Sequence, residues 1–151
     1  MLSTPHFEQS RDGFCLPACV RMVLAGLGQD VSEQRIARLL QTRRFGTPIS
    51  RIIRLSRWGY DVSLDSFSNK RLQFNLDSHT PVIVQLWPQM MTYWTFQPSG
   101  SHVAVAVGYD DVAIYLNDPA YPTAPKQLKW DAFLAAWAEF DETAAIIQNR
   151  S

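Results

Sequence analysis

One segment near the start of the chain combines a helix-start signal with a cysteine at its first turn. It runs from Gln9 to Leu27 and reads QSRDGFCLPACVRMVLAGL. Pro17 suits a first helical turn, because its missing N–H has no partner to lose there. Apolar residues follow at helical spacing, namely Val20, Val23, Leu24 and Leu27. The segment predicts a buried helix with Cys15 at its positive end, where the helix dipole favours a thiolate, so Cys15 is a candidate nucleophile.

The length and charge of the chain limit what it can be. A chain of 151 residues with 46% hydrophobic residues fits one domain, predicted over residues 1–151, with a core that needs no metal or disulfide. Lys+Arg 14 balance Asp+Glu 14, so no long-range field attracts a polyanion. A nucleic acid or an anionic membrane surface is therefore not an expected partner.

The two cysteines and the absence of a targeting segment suggest a location. No run approaches the ~20 apolar residues of a membrane span, and the first residues do not read as a signal peptide. Cys15 and Cys19 are four residues apart on one predicted helix, a poor geometry for a disulfide. We expect reduced thiols and a cytoplasmic protein without a membrane span.

The remaining pattern predicts helices followed by an antiparallel sheet. Ser32 is placed to cap a second helix, and a third helical pattern ends at Gly59. Strands are predicted at 60–64, 82–87 and 143–148, with a short helix near 72–76 and a last helix at 130–140. The predicted fold class is α+β, with N-terminal helices packed on an antiparallel β-sheet.

A β-hairpin on either side of Tyr109-Asp110-Asp111 supplies a base and an orienting group. If its turn centres on Asp110, His102 lies directly opposite Asp118, with their Cβ atoms ~5 Å apart. Small residues then share the face of His102, namely Ala104, Ala106 and Gly108. We expect the Cys15 helix to pack on that face, which would align thiol, imidazole and carboxylate as a nucleophile triad.

Simpler interpretations apply to each residue alone. A single cysteine is most often a small buried hydrophobic residue, which is the interpretation we favour for Cys19. A zinc site of Cys15, Cys19 and a histidine is the weaker alternative, because no second pair of ligands follows. Two residues of the long 88–100 loop, Tyr93 and Trp94, are candidates either for core cover or for a substrate-groove wall, and Phe96 belongs to the same loop.

Taken together, these residues resemble the C39 family of papain-like cysteine peptidases. The resemblance rests on Gln9, the run Cys15-Leu16-Pro17-Ala18-Cys19, His102 and Asp118-Pro119, and it spans nearly the whole chain. It implies a papain-like fold in which Cys15 attacks, His102 is the base, Asp118 orients it and Gln9 helps form the oxyanion hole. Well-known members are bacterial and cut bacteriocin leader peptides after a double glycine, usually as a domain fused to a transporter.

The chain departs from that pattern beside the nucleophile. Leu16 stands where the family usually has glycine, and Phe14 where aspartate is common. The Leu16 side chain either turns into the core or narrows a substrate subsite, so Leu16 is a candidate substrate-binding residue.

The predicted function is that of a thiol peptidase that acts on a peptide or protein substrate without a cofactor. Leader-peptide processing is one candidate reaction. An acyltransferase or transpeptidase using the same triad is one alternative. A catalytically silent peptide-binding domain is the other.

Overall fold

The chain folds as helices on both faces of one antiparallel sheet. The structure, a computed structural model, describes residues 1–95 and 100–150. Its α-helices are α1 (Cys15–Gly26), α2 (Glu33–Leu40), α3 (Asn69–Asp77) and α4 (Trp130–Ala138). Its strands are β1 (Tyr60–Ser66), β2 (Val82–Leu86), β3 (His102–Tyr109), β4 (Ala113–Asn117), β5 (Lys126–Lys129) and β6 (Thr143–Asn149). The strands form a six-stranded sheet in the order β1-β6-β2-β3-β4-β5, so the predicted α+β class is confirmed.

Most element boundaries follow the local signals. Cys15 is the first residue of α1, and the Ser32 side chain caps α2 by accepting from the Arg35 N–H at 3.2 Å. The third predicted helix, Ile49–Trp58, is a 3₁₀ helix ending at Gly59, whose φ is 89°. Its two buried residues, Ile52 and Leu55, are three apart, and a 3₁₀ helix places such residues on one face.

Strand β5 was not expected from the sequence. It has the sequence KQLK, with two lysines and a single buried residue, Leu128. Lysine-rich short strands are typical of sheet edges, and β5 is the last strand of the sheet order. Among the described residues, no helix is both long and apolar enough to cross a bilayer.

The sheet separates two hydrophobic clusters. The first contains residues of α1, such as Leu16 and Val20, together with every second residue of β3, namely Val103, Val105 and Val107. The second contains residues of α3 and α4, together with Ala104 and Ala106 of β3. The expectation that α1 packs on the alanine face of β3 is therefore wrong. The alanine face instead belongs to the cluster that contains residues of α3 and α4, such as Leu76 and Phe133.

The register of the β3–β4 hairpin also differs from the expected one. Ala106 pairs with Leu116 and Val105 with Asn117, two positions from a turn centred on Asp110. The reason lies in the turn, which Asp110 begins because its carboxylate accepts the N–H groups of Val112 (2.8 Å) and Ala113 (2.9 Å). Aspartate commonly takes this first turn position. Next to the turn Tyr109 pairs with Ile114, three positions from the expected register, and the bulge between Ala106 and Gly108 reduces the difference to two.

Candidate active site

Cys15, His102 and Asp118 meet at one end of the sheet. Cys15 and His102 are the first residues of α1 and β3, and α1 packs on β3, so their N-terminal ends are adjacent. Asp118 directly follows β4, which is antiparallel to β3 and therefore ends beside the start of β3. With the observed register, Asp118 is level with Ala104, on the same face as His102, and the imidazole reaches it diagonally.

The three side chains interact in the order Cys15, His102, Asp118. The Nε2 atom of His102 lies 2.6 Å from Oδ1 of Asp118, and both residues are buried. Because Nε2 faces Asp118, Nδ1 is the ring nitrogen of His102 that is available to the Cys15 thiol. Asp118 also accepts from the Ala120 N–H at 2.9 Å and from the Tyr93 hydroxyl at 2.5 Å. Asp118 orients the His102 ring, and His102 in turn faces Cys15, which is the arrangement of a nucleophile, a base and an orienting group.

The electrostatics of this cluster favour a charged pair. Burial raises the pKa of the Cys15 thiol, but the hydrogen bond and charge of His102 outweigh it and leave that pKa below its ordinary value. Burial lowers the pKa of His102, whereas the charge and hydrogen bond of Asp118 raise it above its ordinary value. Burial raises the pKa of Asp118, which His102 and Tyr93 then lower. The arrangement therefore favours a thiolate beside an imidazolium over two neutral groups.

Cys19 lies one turn further along α1 in a different environment. It is fully buried, and its Sγ donates to the Val103 carbonyl at 3.5 Å. Burial raises the pKa of Cys19 well above its ordinary value, and the nearby Cys15 and Asp118 charges add to the increase. Cys19 is therefore a packed thiol, in agreement with the sequence interpretation.

Gln9 lines the same cleft as Cys15, and its backbone is anchored beside Asp118. Its N–H donates to the carbonyl of Pro119, the residue that follows Asp118, at 2.7 Å. One amide N–H of the side chain donates to the Arg11 carbonyl at 2.9 Å, which leaves the second available. The next residue, Ser10, donates its N–H to the buried carboxylate of Glu33 at 3.0 Å and bonds it also through the hydroxyl.

A cleft of about 1120 Å³ opens over the thiol. Gln9, Cys15, Trp94 and His102 line it, together with the 43–48 turn. This turn backs on Gly13, where φ is +84° and an added Cβ would lie 2.9 Å from the Arg44 carbonyl oxygen. Only glycine fits this approach, so the turn and the segment before the nucleophile form one continuous wall.

The structure separates the two aromatic residues suggested to bind substrate, Tyr93 and Trp94. Trp94 lines the cleft, with its ring centroid 4.8 Å from that of His102 in an edge-on arrangement. Tyr93 is not among the lining residues, because its hydroxyl is turned toward Asp118. Phe96 of the same loop lies outside the described residues.

The interpretation of Leu16 as a substrate-binding residue is wrong. Its side chain is 1% exposed and belongs to the cluster between α1 and the valine face of β3. The second position of α1 points inward, since α1 buries most of its residues. Leu16 therefore does not narrow the cleft.

Replacing Leu16 with alanine is expected to destabilise the protein by about 2–5 kcal/mol through the cavity left in the core. The rate at which iodoacetamide alkylates Cys15 should stay near that of the wild type under folding conditions. Thermal unfolding and labelling measure the two effects. Ile53→Ala is the matched control, because Ile53 is 55% exposed and its truncation should change stability by less than about 0.5 kcal/mol. Equal stability of Leu16→Ala and Ile53→Ala would contradict the core position of Leu16.

Two features of the site had no usable signal in the sequence. Glu33 reads as an ordinary first-turn acid of α2, and its bond to Ser10 joins residues 23 apart in the chain. The bond from Tyr93 to Asp118 spans 25 residues and crosses between two loops. Among the residues that the structure describes, no group of three or more His, Cys, Asp or Glu side chains is placed to hold a metal ion.

Solved structures with a similar fold include peptidase domains. A protein from Bacillus anthracis described as a C39-like peptidase has a TM-score of 0.81 and 16% identity, covering 99% of this chain and 96% of that one. The peptidase domain of Streptococcus ComA, a bifunctional ABC transporter involved in quorum sensing, has a TM-score of 0.79 and 17% identity, covering 97% of this chain and 99% of that one. A double glycine motif protease from an AMS/PCAT transporter, in complex with a leader peptide, has a TM-score of 0.71 and 19% identity, covering 96% of this chain and 91% of that one.

A family model gives the same assignment as the solved structures. The model described as "Peptidase_C39 like family" matches residues 1–145, which is nearly the whole chain. A search of curated proteins found no match. The predicted papain-like α+β fold is confirmed, and the chain belongs to the Peptidase_C39-like family.

Proposed function

We propose that this protein is a cysteine peptidase that hydrolyses a peptide bond through a thioacyl-enzyme on Cys15. The observation that carries the proposal is that Cys15 and His102 line one cleft, with Asp118 behind the imidazole at 2.6 Å between Oδ1 and Nε2 of His102. The lowered pKa of Cys15 supports it, because the thiolate is the nucleophilic form. The cleft over the thiol offers space for a peptide.

The proposed reaction has two steps. In the first, the Cys15 thiolate attacks the carbonyl carbon, the C–N bond breaks, and the imidazolium of His102 gives its proton to the leaving amine. In the second, neutral His102 takes a proton from water, and the resulting hydroxide attacks the thioester. The carboxylic acid leaves, and the thiolate and imidazolium are restored. Asp118 keeps the Nε2 proton of His102 in place throughout, so that Nδ1 exchanges protons.

The negative oxygen of each tetrahedral intermediate needs donors. We assign this role to the Cys15 backbone N–H at the start of α1 and to the free amide N–H of Gln9. The Pro119 and Glu33 bonds hold the segment that carries Gln9, so that this donor is in position before substrate binds. A donor that needs no reorganisation contributes most to stabilising a developing charge.

The proposed substrate is a peptide precursor with a leader segment. One structurally similar protease is in complex with a leader peptide, which supports a peptide as the ligand of this cleft. Acyl transfer to an amine would use the same first step, and product mass spectra distinguish it from hydrolysis. A silent binding domain loses its main argument, because Leu16 lies in the core and does not block the thiol. A reducing compartment such as the cytoplasm suits a reaction that needs a free thiol.

Cys15 is expected to react with iodoacetamide far faster than Cys19 at pH 6.5. An ordinary thiol with a pKa of about 8.5 is only about 1% ionised two units below that value. The pKa of Cys15 is lowered and that of Cys19 raised, so the difference in rate should be largest on the acidic side and shrink as pH rises. Mass spectrometry of the labelled peptides measures both rates.

The control is Cys19→Ala, which leaves Cys15 as the sole thiol and should keep its labelling rate. His102→Ala should bring the pH profile of Cys15 back toward that of an ordinary thiol. Equal labelling of the two cysteines in the folded protein would contradict the assignment of Cys15 as the nucleophile.

A further inference from the structure

A hydroxyl group outside the Cys15–His102–Asp118 chain completes the coordination of the buried carboxylate. Tyr93 donates from its hydroxyl to Oδ2 of Asp118 at 2.5 Å, while Oδ1 faces Nε2 of His102 at 2.6 Å. The Ala120 N–H also donates to Oδ1, so Tyr93 is the partner of Oδ2 in this set of bonds. Asp118 is fully buried, so solvent cannot replace a lost donor.

The position of Tyr93 is itself fixed by contacts with the turn that follows Asp118. Its ring meets the ring of Tyr121 edge-on, with 5.6 Å between centroids. The Thr95 N–H donates to the Tyr121 hydroxyl at 2.9 Å. Within the turn, the Tyr121 N–H donates to the Asp118 carbonyl at 3.2 Å. The segment that carries Tyr93 is thus joined to the turn that carries Asp118 by the ring contact and the Thr95 bond, in addition to the bond from Tyr93 to Asp118.

We propose that Tyr93 is a positioning residue, whose hydroxyl holds the Asp118 carboxylate in the rotamer that keeps His102 aligned with the Cys15 thiol. The inference rests on the proposed function, because the alignment matters only if the three residues act together. Tyr93 is not among the residues that line the cleft, and its hydroxyl bonds Asp118, so we expect it to act through Asp118.

The physical reason is that a buried carboxylate needs donors on both oxygens. Without the Tyr93 hydroxyl, Oδ2 loses its bond, and the carboxylate gains by turning toward other donors or by taking a proton. Either change weakens its hold on Nε2 of His102, and a less firmly held imidazolium stabilises the Cys15 thiolate less. The ionisable groups around His102 and Asp118 are Cys15, Cys19 and Tyr93. Two more lie near Tyr121: His6 is bonded to its carbonyl, and Lys126 lies over its ring.

The test is the pH profile of Cys15 alkylation by iodoacetamide in Tyr93→Phe, with Tyr121→Phe as the matched control. Both changes delete one hydroxyl from the same aromatic cluster, but only the first removes a bond to Asp118. Tyr93→Phe should move the acidic limb of the profile to higher pH and slow labelling at pH 6.5 by about tenfold. Tyr121→Phe should stay within about twofold of the wild type. Equal effects of the two variants would overturn the inference.

A double variant shows whether Tyr93 acts through Asp118. In an Asp118→Asn background, Tyr93→Phe should cause little further loss, whereas independent effects would multiply and would overturn the proposal. Tyr93→3-fluorotyrosine keeps the ring and the hydroxyl, and it should label within about twofold of the wild type even if the phenylalanine variant folds poorly. A tenfold loss in this variant would also overturn it. Failure of the proposed function is distinct, because the wild type itself would then show no fast Cys15.

Discussion

Peptide hydrolysis is expected to disappear when Cys15 is replaced with alanine, with a loss of about 10⁵-fold or more, because the proposed acyl-enzyme forms on the Cys15 sulfur. The fold should remain, since Cys15 is the half-buried first residue of α1 and its side chain is small. Turnover of a peptide library, followed by mass spectrometry, measures the first effect. Thermal unfolding measures the second.

Cys19→Ala is the matched control for this experiment. It removes the same sulfur atom one helical turn away, from a fully buried position that the proposed reaction does not use. We expect it to lower the free energy of unfolding by about 1–2 kcal/mol and to leave turnover near that of the wild type. The reverse pattern, with turnover lost in Cys19→Ala and kept in Cys15→Ala, would exchange the roles of the two cysteines.

Asp118→Asn is expected to lower kcat by up to about 10⁴-fold, the loss seen when the same change is made in a serine triad. The amide keeps the shape of the side chain but offers an N–H where His102 Nε2 needs an acceptor, so the imidazole is held less well and in the wrong tautomer. Asp118 does not line the cleft, so KM should change little. Steady-state kinetics on a cleaved peptide separates the two constants.

Asp110→Asn is a suitable control for that variant, because it alters another hydrogen-bonded aspartate of the same hairpin. Asp110 accepts from Val112, Ala113 and the Tyr115 hydroxyl at the opposite end of the strands, away from His102. Its replacement should lower stability and leave kcat unchanged. A loss of kcat of similar size in both variants would mean that the hairpin fold, and not the orientation of His102, explains the effect of Asp118→Asn.

The candidate site was predictable to the extent that it depends on residue type and spacing. Pro17 and the apolar residues after it predicted α1, and this placed Cys15 at a helix start. His102 and Asp118 were paired from the hairpin, and the structure brings them into contact. The contact was right although the register was wrong, because a shift of two residues keeps a side chain on the same face of the sheet.

The layering of helices on the sheet was not predictable in the same way. Small residues on one face of β3 are compatible with close approach by a helix or with large side chains from another helix. That face shares a cluster with residues of α3 and α4, such as Leu76 and Phe133, and α1 covers the valines instead. This choice depends on the volumes of residues about thirty positions away in the chain, which local periodicity does not contain.

Local patterns were sufficient for the helix starts and the strands of the hairpin, since capping and alternation act over a few neighbouring residues. They also singled out Cys15, His102 and Asp118 as candidates, and the family followed from the resemblance that these residues carry together with Gln9. The direction of Leu16, the anchoring of Ser10 by Glu33 and the bond from Tyr93 to Asp118 arose only when distant segments packed together. A buried side chain takes the partner that fills space and satisfies its polar atoms, and that partner is chosen by the three-dimensional packing and not by its distance along the chain.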